Sequence, residues 1–252
     1  MSAPSTPPTQ PEDSTPRDTP YWAQIAERLE VPTVPSGAIN QNVTGHRLAG
    51  PLQGFGPMWR KVYRLRLTGV EATPAEVVRV WKERFPALQP PQNRFYPVLA
   101  GVVPGEIVLL NASMRGLPVN SGVVVLYADD VSFTLMTPEG CPEAGWITCG
   151  AYREDDMTIA EVQTIGRAAD PVFEFGFRFL GGAKEQEKIW TYVLRSLAAA
   201  VGGAGEVEMR RTCVDSRFQW SRAGNVWRNA TIWSVLYAVA APLRRRARPA
   251  RG

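Results

Sequence analysis

The sequence predicts an α+β fold in which a curved antiparallel sheet wraps around one long C-terminal helix, followed by a helical extension. Two observations support this fold class. An amphipathic helix pattern covers Lys184–Val201, and the eighty residues before it consist almost entirely of short strand patterns. A helix with a single apolar stripe needs a surface to cover, and a sheet is the surface that this chain offers.

The long helix is predicted from the spacing of its apolar residues. Those residues recur at positions i, i+3, i+4, i+7 and i+11, which places them on one helix face. They are Trp190, Val193, Leu194, Leu197 and Val201. Gly181-Gly182 precedes the helix, and Gly202-Gly203 provides the residues of positive φ that end one. One face of this helix is therefore expected to be buried.

The region before the sheet divides into three parts. Residues 1–20 are rich in Pro, Ser and Thr, and a disordered tail is expected there. Tyr21–Leu29 predicts a short helix, and Thr33–Gly56 predicts an irregular lead-in. Trp59–Leu67 alternates apolar and basic residues, which is typical of a half-buried strand.

A first helix and five strands follow. Thr73 as N-cap with Pro74 at the first helical position predicts a helix through Ala75–Phe85. The predicted strands are Glu106–Asn111, Val119–Tyr127, Val131–Met136, Trp146–Tyr152 and Thr158–Arg167. Asp129-Asp130 predicts a hairpin turn, and Thr137–Gly145 a loop.

The segment after the last of these strands allows two interpretations. Asp170-Pro171 is typical of the start of a helix. A strand is instead favoured by the alternation of Phe173, Phe175, Phe177 and Phe179. We favour the helix.

The order of elements and three segments resemble the START-like helix-grip (SRPBCC) superfamily. The segments are Pro142–Trp146 (PEAGW), Arg167–Arg178 (RAADPVFEFGFR) and the long helix with its sequence KEQEKIWTYVLRSLA. This superfamily includes polyketide cyclases, lipid-transfer domains and the birch-pollen allergen, and the chain is similar to bacterial families within it. The resemblance covers about Gly50–Val201. It implies a cavity between the sheet and the long helix.

Such a cavity is the expected place for a ligand. Its candidate apolar lining consists of Trp81, Phe95, Tyr96, Leu109, Phe133, Leu135, Trp190 and Leu194. Each of these residues, taken singly, is also what an ordinary core would contain. The cavity as a whole is the better-supported prediction.

Polar residues within predicted strands are further candidates, because a buried polar group needs a partner or a ligand. Asn111, Glu161 and Gln163 are such residues, and the last two share one strand face. If that face points inward, they orient a hydroxyl or carbonyl group of the ligand. If it points outward, they are solvated.

Other chemistry has little support in the sequence. His46 is the single histidine, and it lies in the irregular lead-in, so we expect neither a metal site nor a catalytic role for it. No nucleotide-binding glycine motif occurs, and no cofactor is expected. Three scattered cysteines and the lack of a signal sequence favour a cytoplasmic protein.

The C-terminal region is basic. Ten arginines and three acidic residues give Glu206–Gly252 a net charge of +7, against −3 for the rest of a chain whose total is +4. Asp215–Leu243 predicts one or two helices ending at Pro242, with a large apolar surface. Its members are Trp220, Trp227, Ile232, Trp233, Leu236 and Val239.

This apolar surface has two explanations. It packs on the domain or on a second subunit, which we favour, or Trp220–Arg251 contacts a membrane. The Arg-rich end by itself is not specific, and no specific nucleic-acid partner is expected.

The predicted organisation has five parts. They are a tail at 1–20, a lead-in at 21–58, a helix-grip domain at 59–203, a helical extension at 204–243 and a basic tail at 244–252. The predicted function is binding of a hydrophobic small molecule or lipid in the cavity. The alternatives are a cyclase- or aromatase-type enzyme that uses polar residues of the cavity such as Glu161 or Tyr96, and a scaffold at the membrane surface.

Overall fold

Eight antiparallel strands form one sheet in the described part of the computed structural model, which comprises residues 19–24, 26–97 and 101–246. Their spatial order is β2-β3-β4-β5-β6-β7-β1-β8. Their bounds are β1 Met58–Arg66, β2 Arg94–Pro97, β3 Ile107–Met114, β4 Leu117–Ala128, β5 Ser132–Met136, β6 Glu143–Glu154, β7 Met157–Ala168 and β8 Val207–Asp215. The predicted antiparallel sheet is confirmed.

The sheet bends because its ladders are irregular at two places. The register shifts between Val125 and Tyr127 on β4, and between Met58 and Trp59 on β1. An extra residue at such a point bends the strand and increases its twist. The resulting concave face holds the main core.

Four α-helices lie in the described part of the chain, and their ends follow local sequence signals. They are α1 Pro74–Arg84, α2 Pro171–Phe179, α3 Gly182–Ala200 and α4 Ala230–Arg246. Thr73 and Glu76 form a capping box at the start of α1. The carboxylate of Asp170 accepts hydrogen bonds from the backbone N–H groups of Val172 and Phe173, so the predicted helix over this segment is confirmed.

The long helix α3 packs its apolar stripe against the concave face of the sheet. Trp190, Val193, Leu194 and Leu197 are all buried in the main core, together with Tyr63 and other inward residues of the strands. Gly202 has a φ of +82° and follows Val201, the C-cap residue of the helix, as predicted. This is the helix-grip arrangement.

The convex face of the sheet is covered by the lead-in and by α4. Leu29 and Val43 of the lead-in form a small core with Leu109 and Val124 of the sheet. The hydroxyl oxygen of Ser234 on α4 accepts a hydrogen bond of 2.9 Å from the backbone N–H of Asn120. The sheet is therefore packed on both faces.

The C-terminal extension is anchored by buried polar contacts. Asn229, which is fully buried, caps α4 by accepting from the N–H of Ile232 at 3.0 Å, and it donates to the Asp170 carboxylate at 2.8 Å. The buried Arg167 donates to the Asp215 carboxylate at 2.6 Å and to the backbone oxygen of Arg217 at 2.8 Å.

Two predicted features near the ends of the chain are wrong. In its described residues, Tyr21–Leu29 is not helical after Tyr21, which ends a 3-10 turn at Thr19–Tyr21. The backbone of Trp22 pairs with Tyr127 of the sheet, and a segment this short is a marginal helix on its own. Helix α4 does not end at Pro242 but continues to Arg246. Residues 1–18 of the predicted tail and 247–252 of the basic tail lie outside the described residues.

Two strands were not predicted. Strand β2 has only four residues. Strand β8 is an edge strand, placed by its pairing with β1, and most of its side chains are exposed. The region predicted as the helical extension therefore begins with a strand, and a 3-10 helix at Trp220–Arg228 follows before α4 starts at Ala230.

Candidate ligand cavity and the surfaces around it

A cavity of about 170 Å³ lies between the sheet and the N-terminal half of α3. Its wall is formed mainly by apolar side chains of β2–β6, α2 and α3 and of the 3-10 turn that follows α1. The apolar members are Phe85, Phe95, Leu110, Ala112, Met114, Val119, Val123, Leu135, Ile147, Phe177, Ile189 and Trp190. A cavity of roughly 150 Å³ lined by apolar groups holds a benzene-sized molecule. The space under α3 thus fits about one ring.

Three of the predicted lining residues face this cavity. They are Phe95, Leu135 and Trp190. Trp81, Phe133 and Leu194 instead belong to the adjoining close-packed core. The rings of Trp81 and Phe133, for example, meet edge to face at 5.7 Å. These three residues support the wall without lining it.

Three other predicted residues lie on the opposite, convex face of the sheet. In β3, Leu110 and Ala112 point into the cavity, so their neighbour Asn111 points away. The Asn111 amide nitrogen donates to the Gly37 carbonyl at 2.8 Å, which ties the lead-in to the sheet. Leu109 and Tyr96 pack in the small core under the lead-in. None of the three lines the cavity.

Glu161 and Gln163 also point outward. The inward positions of β7 are taken by Ala160 and Val162, which are completely buried in the main core. The Glu161 carboxylate pairs with Arg64 at 3.1 Å. Gln163 accepts a hydrogen bond from Arg60 at 2.8 Å. The interpretation in which these two side chains orient a ligand is therefore wrong.

The polar end of the cavity was not predicted. Lys61 on β1 pairs with Glu143 on β6 at 3.1 Å, and the two side chains are only 13% and 14% exposed. Gln186 on α3 donates to the Glu143 carboxylate at 2.5 Å and accepts a hydrogen bond from Lys61. Glu143 and Gln186 both line the cavity. We refer to Lys61, Glu143 and Gln186 as the polar cluster.

A signal for this cluster was present in the sequence. Along β1, Lys61 shares one strand face with Trp59, Tyr63 and Leu65, so a basic residue stands on the apolar side. Burying an ion pair removes both charges from water, and the attraction between them repays this cost only with good geometry. A nearly buried pair beside a cavity is therefore a candidate binding feature.

The electrostatics of the cavity favour binding over nucleophilic chemistry. Burial raises the pKa of the Cys141 thiol, which lines the cavity, to about 11, so this group stays protonated and is a poor nucleophile. Burial raises the pKa of Tyr63 well above its usual value, and the nearby carboxylates of Glu143 and Glu187 contribute to the same shift. Among the described residues, no cluster of His, Cys, Asp and Glu is arranged to hold a metal ion.

Comparison of the chain with known proteins finds similar solved structures. No protein-family model matches it, and neither does any curated protein. Similar solved structures include Ara h 8.0201, with a TM-score of 0.42 and 12% identity over 57% of this chain and 97% of that chain. Ginseng major latex-like protein 151 from Panax ginseng has a TM-score of 0.39 and 12% identity, over 57% of this chain and 97% of that one.

The di-domain ARO/CYC StfQ from the steffimycin biosynthetic pathway is a further similar structure. Its TM-score is 0.45 at 11% identity, over 58% of this chain and 51% of that chain. The predicted fold, an antiparallel sheet packed against α3, is confirmed by the strands and the core of the chain itself. The function proposed below is based on the geometry of the chain itself.

The C-terminal extension has a second distinctive surface. Helix α4 contacts the sheet through small residues, of which Ala230 and Ser234 are completely buried. Its large apolar side chains point away from the domain. The exposed fractions are 46% for Trp233, 53% for Leu236 and 70% for Val239, and 81% for the preceding Trp227. We call these four residues the exposed apolar face.

The favoured prediction for this extension was packing on the domain or on a second subunit. The helix packs on the domain, its aromatic residues do not, and their packing on a second subunit stays a prediction. Ile232 and Trp220 are exposed as well, although the Trp220 ring touches Phe55 at 5.2 Å. None of the described helices is both long and apolar enough to cross a membrane.

Proposed function

We propose that the chain binds a small amphipathic molecule or a lipid, with the apolar part in the cavity and a polar group at the polar cluster. The observation that carries the proposal is the apolar cavity lined at one end by Glu143 and Gln186, with the nearly buried Lys61 paired to Glu143. Lys61 donates hydrogen bonds, and Glu143 accepts them. A hydroxyl, carbonyl or amide group of a ligand complements both.

The size of the cavity limits the ligand. About 170 Å³ holds one ring or a short acyl segment. A longer molecule either extends beyond the mouth or displaces the half-buried side chains of Met114 and Phe177. The ligand class is therefore a compact aromatic or alicyclic compound, or a lipid of which only part is enclosed.

Native mass spectrometry with lipid extraction, on protein purified from its own host, tests for a bound molecule. Binding of the apolar probe 8-anilinonaphthalene-1-sulfonate then tests the location. Ala112→Phe fills the cavity and is expected to lower the affinity for the probe at least about tenfold. The exposed Ala75→Phe on α1 is expected to leave this affinity unchanged. Equal affinity in both variants would contradict a site under α3.

A paired substitution tests the polar cluster separately. Lys61→Met with Glu143→Leu removes both charges and leaves neither one buried alone. We expect this variant to bind the apolar probe as the natural protein does, and to lose the co-purified ligand. Retention of that ligand would show that the polar cluster does not contact it.

The same cluster supports the second candidate, an enzyme of the cyclase or aromatase type. Acid–base catalysis needs a proton donor and an acceptor next to the substrate. Glu143 lines the cavity, and Lys61 pairs with it at 3.1 Å. Tyr96 and Glu161, the first candidates for this role, lie on the convex side. If the extracted ligand changes mass on incubation with the protein, Glu143→Gln is expected to abolish that change and retain binding.

The C-terminal extension supports a proposed contact with anionic membranes. In the sequence, the exposed apolar face is followed by an Arg-rich end, RRRARPAR, and basic residues near an anionic bilayer contribute about 1 kcal/mol each. The three cysteines are free thiols, which agrees with a cytoplasmic location.

Vesicle sedimentation tests the membrane contact. Trp233→Ser with Leu236→Ser is expected to reduce binding to phosphatidylglycerol vesicles at least about fivefold, whereas Leu52→Ser, an exposed apolar residue elsewhere, has no effect. A dimer that these two substitutions dissociate would show that a second copy covers the face, and would overturn the membrane proposal.

A further inference from the structure

A polar pocket lies on the convex side of the molecule, where the lead-in meets the start of the C-terminal extension. It encloses about 380 Å³ and is separate from the cavity under α3. Its wall consists of Arg28, Gly45, His46, Arg47, Glu139 and Arg228. Five of these six residues carry a charged or strongly polar side chain. We call this the arginine pocket.

The fold brings the three arginines together from separate segments. Arg28 donates to the Gly45 carbonyl at 2.7 Å, which holds its side chain over the loop that carries His46 and Arg47. The backbone N–H of Glu139 donates to the Arg47 carbonyl at 2.8 Å and so fixes the loop between β5 and β6 beside it. Arg228 lies next to both, since its guanidinium is 3.4 Å from the Glu139 carboxylate.

The acidic residues do not neutralise this pocket. Glu139 is the one carboxylate in its wall and faces three guanidiniums, which leaves an excess of two positive charges. Glu27 also pairs with Arg47, but its side chain is 77% exposed, and such exposed pairs contribute little. A guanidinium carries five N–H donors, so the contacts described here leave donors available for a further acceptor.

His46 adds a neutral polar group to the wall. Burial lowers its pKa below the usual value, the nearby Glu139 opposes this effect, and Arg228 and Arg28 lower it further. The imidazole is therefore neutral at pH 7. It adds no charge to the excess of the arginines, and an anion that enters the pocket will change its electrostatic surroundings directly.

We propose that the arginine pocket binds a phosphate group, as a phosphomonoester or phosphodiester. A guanidinium matches phosphate because its planar fork donates two parallel hydrogen bonds. A phosphomonoester carries about −1.5 to −2 charges at pH 7, close to the excess of two in the pocket. The proposal is independent of the ligand proposed for the cavity under α3.

Two sources would supply the same chemistry. One is a soluble phosphorylated molecule, and the other is the headgroup of an anionic phospholipid. The second source is relevant because Trp227 of the exposed apolar face directly precedes Arg228 in the chain. The experiment separates them.

His46 is the single histidine of the chain, so one imidazole resonance reports on this pocket. NMR titration with inorganic phosphate and with glycerol 3-phosphate, at constant ionic strength set by sodium chloride, is expected to shift that resonance saturably. The pKa of His46 is expected to rise when phosphate is bound, because an anion stabilises the imidazolium. No saturable shift, or an equal shift with chloride alone, would overturn the proposal.

Arg28→Gln and Arg228→Gln are each expected to lower the affinity for phosphate at least about tenfold, because each removes a charge-assisted contact. Arg79→Gln is the matched control, since Arg79 is an exposed arginine on α1 that pairs with Glu83. Unchanged phosphate affinity in Arg28→Gln and Arg228→Gln would overturn the site. Retained chemical shifts outside the pocket show that the variants are folded.

Sedimentation with phosphatidylglycerol and phosphatidylcholine vesicles then identifies the source. If Arg28→Gln weakens both phosphate and phosphatidylglycerol binding, the pocket takes a lipid headgroup. If it weakens only the binding of phosphate, the pocket takes a soluble phosphorylated molecule. Both results support a phosphate site.

Discussion

Helices α3 and α4 are both amphipathic in sequence, yet they use opposite faces in the structure. Helix α3 buries its large apolar residues, including Leu197, which is completely buried. Helix α4 buries Ala230 and Ser234 and exposes Trp233 and Leu236. An apolar stripe therefore indicates that a helix has a surface to cover, but does not identify that surface.

The two helices are also held by different forces. Burial of a large apolar side chain contributes about 1.5–3 kcal/mol, and α3 has several such residues in the core. Helix α4 and the segment just before it are instead tied to the domain by hydrogen bonds of Asn229, Ser234, Asp170 and Arg167. Three substitutions test this difference, from the largest expected effect to the smallest.

The largest effect is expected for Leu197→Ala on α3. It leaves a cavity in the main core and should lower the free energy of unfolding by about 2–5 kcal/mol. The matched Leu236→Ala on α4 should change it by less than about 0.5 kcal/mol, because Leu236 is already half exposed. Chemical denaturation measures both values. Similar losses in the two variants would show that the apolar face of α4 is covered.

An intermediate effect is expected for Asn229→Ala. It removes the cap of α4 and one hydrogen-bond donor to the buried Asp170, at a cost of about 1–3 kcal/mol. Hydrogen exchange should show loss of protection in α4 and unchanged protection in α3. Ser221→Ala, exposed in the same extension, is the control. Loss of protection in both helices would contradict a separate polar attachment of α4.

The smallest effect is expected for Asp215→Asn, and it depends on pH. Hydrogen bonds from Arg217, and then from Arg167, hold the pKa of Asp215 well below its usual value of about 3.9. A lowered pKa in the folded state stabilises the protein above the unfolded pKa, and this stabilisation is lost as the pH falls through the acid range. The variant should thus be less stable than the natural protein at pH 7.

Denaturation curves between pH 7 and pH 2 measure how the free energies of unfolding of the variant and the natural protein approach each other. The difference between Asp215→Asn and the natural protein should shrink steadily below about pH 4. The exposed Asp156→Asn, in the turn between β6 and β7, provides the control. A difference that stays constant over the whole pH range would indicate that Asp215 contributes through packing and not through its charge.

The candidate site shows the limit of sequence patterns more clearly than the fold does. Phe95, Leu135 and Trp190 were predicted to line the cavity and do so. Asn111 and Glu161 are on the other side of the sheet, because alternation separates two faces of a strand without saying which one is inside. Lys61 was missed, although it stands among apolar residues on one face of β1.

The sequence by itself determined the elements with local signals. The capping box at Thr73, the Asp170 cap, the stripe of α3 and the turns between β4 and β7 each depend on residues close together in the chain. The fold class followed from their order.

Only the tertiary structure decided what depends on distant partners. Strand β8 exists because β1 offers an edge to pair with, and the aromatic residues of α4 are exposed because Ala230 and Ser234 fit the sheet more closely. The polar cluster unites Lys61, Glu143 and Gln186 from two strands and a helix. Such groups meet only after folding, since the contacts that position them span long separations in the chain.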